Sequence, residues 1–152
     1  MADETSATDK NGGFTGSCLC GAVHYESAVG PVLVGQCHCE ACRKSSGTDH
    51  STNLFVPDDA FTLTGTLKYF DTTADSGNIV SQGFCPDCGA SVLMRNSMMP
   101  DKVFIKASSL DDLEIARPQM VVFASRAPSW RHLDPDVPTF PEMPTRMPKE
   151  VV

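Results

Sequence analysis

Seven cysteines fall in three clusters: Cys18-x-Cys20, Cys37-x-Cys39-x-x-Cys42 and Cys85-x-x-Cys88. Nothing else in the chain constrains its fold as tightly. Zinc takes four ligands, and seven thiols divide into four plus three. Four protein thiolates make a closed, structural site; three leave one position open for water or substrate. The arithmetic points to one metal that holds the fold and one that does chemistry, two zinc ions per chain.

The neighbours suggest which cluster serves which site. Cys18-Leu19-Cys20 and Cys85-Pro86-Asp87-Cys88 each supply two sulfurs and are each followed by a glycine, Gly21 and Gly89. Glycine admits the positive φ that curls the following amides back towards the thiolates. Each pair is half a site, and the halves come from distant parts of the chain. Cys37, Cys39 and Cys42 stand together and are followed by Arg43. On an extended segment Cys37 and Cys39 share a face, and a turn of helix would bring Cys42 round. Other groupings of the seven thiols remain compatible with the spacing.

Disulfide pairing would leave one cysteine over. Met1–Lys10 has neither the basic nor the apolar region of a signal peptide, so a reducing, cytoplasmic setting is expected, which favours metal over bridges. Iron–sulfur ligation suits the ligand type but not this three-cluster layout.

The formal net charge is −7, falling to about −10 with both thiolate sites loaded. Such a surface repels phosphate backbones, so no nucleic-acid partner is expected. No apolar run approaches the roughly 20 residues of a membrane helix. Residues 1–13 read as a disordered leader, 14–131 as the zinc-binding domain, and 132–152 as a proline-rich tail. Six of the eleven prolines fall between Pro128 and Pro148, which predicts an extended tail pinned by Phe140 and Trp130. Between the ends, short β-type runs predict nine strands: Ala22–Glu26, Val32–Cys37, Ser51–Val56, Phe61–Thr64, Leu67–Phe70, Ile79–Phe84, Ser91–Arg95, Lys102–Lys106 and Met120–Ser125. One short helix is expected over Cys39–Ser46. The class is all-β, two small sheets stapled by the four-cysteine metal.

The strings "GSCLCGAVHYE", "CHCEACRKSSGT", "GFCPDCGASV", "ASSLDD" and "SRAPSW", in that order, resemble the glutathione-dependent formaldehyde-activating enzyme family, which shares its domain with centromere protein V. The resemblance runs from about Phe14 to Trp130. It implies a β-tent of small antiparallel sheets, with a structural zinc on Cys18, Cys20, Cys85 and Cys88. It also implies a catalytic zinc on Cys37, Cys39 and Cys42. The activity it implies joins glutathione to formaldehyde as S-hydroxymethylglutathione, classed in the reverse sense as a carbon–sulfur lyase.

A three-thiolate zinc suits holding an incoming thiol deprotonated, and the thiolate is the nucleophile. Arg43 and Lys44 adjoin the open site and are positioned for glutathione's carboxylates, or simply for charge balance. His50 with Asp49 suits an acid–base pair; as loop residues they would otherwise face solvent. His38 is read as a hydrogen-bonded histidine, not a ligand. Trp130, with Arg126, is read as a wall of the substrate pocket or as tail packing. His24 and His132 offer no reason to be chosen. The expected partners are a small-molecule thiol and aldehyde, with no membrane, and a homodimer is left open. The competing reading is a non-catalytic, zinc-stabilised protein-binding module.

Overall fold

A computed structural model describes residues 12–146. Residues 1–11 of the expected leader and 147–152 of the tail lie outside it.

Among the described residues, ten strands form two sheets. β1 (Phe14–Ser17), β2 (His24–Ser27) and β5 (Phe61–Thr64) make a three-stranded antiparallel sheet. The second sheet has seven strands in the order β10-β3-β4-β9-β8-β7-β6. These are β3 (Leu33–Cys37), β4 (Ser51–Pro57), β6 (Lys68–Thr73), β7 (Ile79–Phe84), β8 (Ser91–Asn96), β9 (Lys102–Lys106) and β10 (Met120–Val122). One short helix, α1 (Glu40–Ser46), interrupts the β3–β4 hairpin.

The all-β, two-sheet reading holds, and the details add to it. One of the sheets is large, and it contains a parallel pair, β10 on β3, alongside its antiparallel neighbours. β1 was not expected, because Phe14 is its one large apolar residue. The strand expected at Ala22–Glu26 starts later, at His24, because Ala22 and Val23 belong to the turn after Cys20. The strand expected at Met120–Ser125 stops at Val122, where Phe123 takes a φ of 55° and ends the extended run.

The core follows from strand alternation. Val34, Leu54, Val56, Val103, Ile105 and Leu93 project from one face of the large sheet. They pack with Phe14 and Tyr25 of the small one and with Val23 of the turn before β2. Each wholly buried aliphatic side chain here contributes about 1.5–3 kcal/mol. Tyr25 lies edge-on to Phe14, and its hydroxyl meets Ser109 Oγ at 2.7 Å. Gly16 lies so close beneath that hydroxyl and the Ser109 carbonyl that a Cβ would overlap both.

The opposite face of the large sheet is different. In register with one another it carries Cys37 and Ser51, then Gly35, Asn53 and Lys106. At its end Leu33, Met120 and Val122 form a small second cluster with Phe55, Phe123 and Phe140. The tail is pinned there by Phe140, and its backbone continues the sheet: Val121 N–H donates to the Pro138 carbonyl at 2.9 Å and Phe140 N–H to the Val121 carbonyl at 2.8 Å. Trp130 does not pin it; the indole is 65% exposed.

Candidate functional site

Two cysteine-bearing turns are built alike. Cys18 N–H donates to the Val23 carbonyl at 2.9 Å and Cys85 N–H to the Ala90 carbonyl at 3.0 Å, while Gly21 N–H and Gly89 N–H return to the carbonyls of Cys18 and Cys85. Gly21 at φ 81° and Gly89 at φ 76° supply the left-handed step. The turns bring the sulfurs of Cys18, Cys20, Cys85 and Cys88 within 4.8 Å of one another. Sγ of Cys20 lies 3.7 Å from both Cys18 and Cys85. A tetrahedral centre with metal–sulfur bonds of about 2.3 Å has sulfur–sulfur edges of about 3.8 Å, so this donor set has the dimensions of a thiolate metal site. Cys18 and Cys85 are also part of the main core, which ties this cluster to the packing of the two sheets.

The second cluster lies at the end of the β3–β4 hairpin, on the sheet's outer face. Cys37 ends β3, Cys39 is the N-cap of α1, and Cys42 is the buried residue of its first turn. Cys39 Sγ accepts from Cys42 N–H at 3.4 Å, and Gly47 closes the helix at φ 79°. The three sulfurs lie within 4.8 Å of one another and form a group of three, with no fourth His, Cys, Asp or Glu among the described residues. Their protonation is shared unequally. Contacts with Cys37 and Cys42, helped by the amides of Cys42 and Ala41, draw the Cys39 thiol down to about 2. Cys39 and then Cys42 push the Cys37 thiol far up. Cys37 is the largest single influence on Cys42 and draws it down, but Cys39 and burial together outweigh it and leave Cys42 at about 11. One thiolate forms at its neighbours' expense, the behaviour of an anion cluster that a cation would release. All seven cysteines are free thiols.

The residues that flank the cluster in sequence form a second constellation. Asp49 and His38 are buried, His38 to 1% exposure. Arg131 grips Asp49 with two hydrogen bonds, and Thr48 Oγ1 donates to it at 3.0 Å. His50 Nδ1 donates to Asp49 Oδ1 at 3.1 Å, since the ionised carboxylate only accepts. Arg131 chiefly holds the Asp49 carboxyl well below the usual carboxylate range. Burial pushes His38 down. Its Nδ1 donates to the Asp49 carbonyl at 3.1 Å, and its Nε2 is buried with no partner among the described residues. The His38 and His50 rings lie 5.2 Å apart. Asp49 is therefore an interior residue, not the solvent-facing loop carboxylate that its sequence position allows.

The other residues singled out from sequence are spread around this centre. Arg43 is exposed, and Lys44 pairs with Glu40 at 2.8 Å across one turn of α1. Lys44 also lines a pocket of about 560 Å³ between the far end of α1 and the two cysteine turns, with Leu19, Ser46, Ser91 and Asp111. Arg126 lies over Phe123, 4.9 Å from the ring centroid, and not against Trp130. Trp130 is faced by Arg131, 5.7 Å from its ring. His24 and His132 are exposed.

Sequence reasoning missed Arg131 and Lys106. Arg131 sits in a proline-rich stretch with no periodicity to mark it. Lys106 ends a strand that is apolar only between its two terminal lysines, and it is buried; burial pushes its pKa down while the charges of Cys42, Cys37 and Cys39 push back. A lysine two residues after Phe104, on the same strand face, is the signal that was there to read.

With the cysteine order and both clusters in place, the family is decided by a match of residues 13–126 to the model for the glutathione-dependent formaldehyde-activating enzyme. The chain belongs to this family. No curated protein sequence matches it. Among solved structures it is similar to a Rhodobacter sphaeroides protein, at 18% identity and a TM-score of 0.50, over 64% of this chain and 87% of that one. That likeness speaks for the fold alone. The family assignment ties the chain to formaldehyde activation with glutathione, a broad statement that leaves the reaction and its residues to be argued from the site.

Proposed function

We propose that this protein is a zinc-dependent enzyme that adds a thiol, glutathione first among candidates, to formaldehyde or another small aldehyde, and also runs the reverse carbon–sulfur cleavage. The observation that carries the reading is the three-member cluster of Cys37, Cys39 and Cys42. A site built only to hold the fold closes with four ligands, as Cys18, Cys20, Cys85 and Cys88 would close theirs.

In this reading Cys18, Cys20, Cys85 and Cys88 hold a structural zinc, and Cys37, Cys39 and Cys42 hold the catalytic one. Zinc bound at the second cluster would supply a thiol in its thiolate form at neutral pH. The thiolate sulfur then forms a bond to the aldehyde carbon, the carbonyl π bond breaks onto oxygen, and the proton lost by the thiol ends on that oxygen. His50 moves this proton: with its Nδ1–H committed to Asp49, its Nε2 is the free lone pair. Asp49 keeps the imidazole in that tautomer, and Arg131 keeps Asp49 ionised. Arg43, Lys44 and Trp130 are the residues proposed to meet the rest of the thiol substrate. Seven free thiols suit a reducing compartment, and we place the protein in the cytoplasm.

The test is NMR exchange between glutathione and S-hydroxymethylglutathione with formaldehyde present, on zinc-replete protein. Acceleration over the uncatalysed rate by wild type, and not by Cys39→Ser, is the expected result. No acceleration from protein with both metals confirmed would sink the enzyme reading and leave the protein-binding module.

A further inference from the structure

Lys106 is 2% exposed and lies on the same sheet face as the cysteine triad. It stands opposite Asn53 in register, as Cys37 stands opposite Ser51. Its Nζ donates to Ser51 Oγ at 3.1 Å, and that hydroxyl donates to Asn53 Oδ1 at 2.9 Å. Among the described residues no carboxylate pairs with it. A buried ammonium without a counter-ion is strongly unfavourable. Cys37 stands across the strand pair from Ser51, whose hydroxyl Lys106 holds, which puts the triad on the ammonium's side of the sheet; thiolate charge there favours the ammonium against the burial that disfavours it.

The charges then sum in an informative way. Three thiolates around a divalent ion carry one net negative charge, which the lysine cancels. A fourth, anionic sulfur would leave the loaded site at one negative charge with Lys106 and at two without it. A neutral donor in the same place gains far less from the ammonium.

We propose that Lys106 is the resident counter-charge of the Cys37–Cys39–Cys42 site and a positioning residue for the substrate, selecting an anionic thiolate over a neutral donor as the group that completes the cluster. This rests on the reading of the triad as a thiol site. The role belongs to the ammonium and not to the length of the side chain, so an arginine at this position serves it and a methionine does not. Asn53→Asp, which conserves volume, offers Lys106 a competing carboxylate and quenches its charge from across the strand pair.

The experiment uses cobalt-substituted full-length protein, whose visible spectrum reports the fourth partner directly. Wild type, Lys106→Met, Lys106→Arg and Asn53→Asp are titrated at one pH with 2-mercaptoethanol and, separately, with imidazole. Lys106→Met and Asn53→Asp are expected to weaken thiol binding by about tenfold or more with imidazole binding little changed, and Lys106→Arg to stay near wild type. Unchanged thiol binding in Lys106→Met and Asn53→Asp would overturn the proposal, as would equal loss of both ligands, which marks a merely structural lysine. If Lys106→Met does not hold cobalt, Asn53→Asp decides. Wild type that binds no thiol would sink the thiol-site reading itself, whereas binding that no variant alters sinks this inference alone.

Discussion

The Arg131 guanidinium holds the Asp49 carboxylate at both oxygens, Nε to Oδ2 at 2.7 Å and Nη2 to Oδ1 at 2.6 Å. The pair joins the segment before the tail to the loop that follows α1. Because the same carboxylate accepts from His50, a contact made far along the chain fixes the imidazole that precedes Ser51, the residue opposite Cys37.

The pH dependence of this pair has a definite sign. Arg131 lowers the folded-state pKa of Asp49, so the pair stabilises the fold above the ordinary aspartate value of about 3.9. That stabilisation is lost as pH falls below it towards the folded value. The gap in urea midpoint between wild type and Arg131→Gln should be flat from about pH 7 to 5 and shrink below about pH 4. A gap that ignored pH across this range would show that Arg131 acts by packing and not by charge.

His50 gives a prediction on rate. If it moves the proton, His50→Gln should lower kcat by about a hundredfold, with two metals per chain retained and KM little changed. Arg131→Gln should lower kcat in the same direction but by less, since the Asp49 carboxylate remains. An unchanged kcat in His50→Gln would remove this residue from the chemistry.

Much of this architecture was legible in the cysteines. Their spacing, with Gly21 and Gly89, indicated two half-sites that close on one another, and the turns at φ 81° and 76° have that form. The short helix at the triad followed from needing Cys42 on the side of Cys39. What stayed hidden depends on neighbours distant in sequence. The Phe14–Ser17 strand is defined by its pairing with His24–Ser27, not by its own composition. The parallel β10–β3 pair depends on Phe140 and the tail backbone closing over the sheet edge. Asp49 and Lys106 look like surface charges until Arg131 and the thiols are placed beside them.

Gly16 and Tyr25 provide a packing test. A Cβ on Gly16 would overlap the Tyr25 hydroxyl and the Ser109 carbonyl, so Gly16→Ala should destabilise by about 1–3 kcal/mol. Removing the hydroxyl with Tyr25→Phe relieves the tightest of three overlaps and leaves those with the ring Cζ and the Ser109 carbonyl. The double variant should therefore lose less than the sum of the single losses in urea unfolding. Simple additivity would mean that strand β1 shifts away and the contact is not tight in solution.

The two cysteine clusters should also separate under metal removal. Cys18 and Cys85 are core residues, 4% and 0% exposed, and their turns join segments far apart in sequence, so losing that metal withdraws support from the packed interior. The triad is confined to one hairpin and one short helix on the sheet's outer face, and three thiolates hold a metal less tightly than four. A graded chelator series should remove one equivalent first with the far-ultraviolet circular dichroism unchanged, and the second only together with unfolding. Cys39→Ser should bind one metal and stay folded, whereas Cys85→Ala should fail to fold stably. Loss of both equivalents in a single step with unfolding would show that the clusters are energetically one unit, and the division into a structural and a working site would fall.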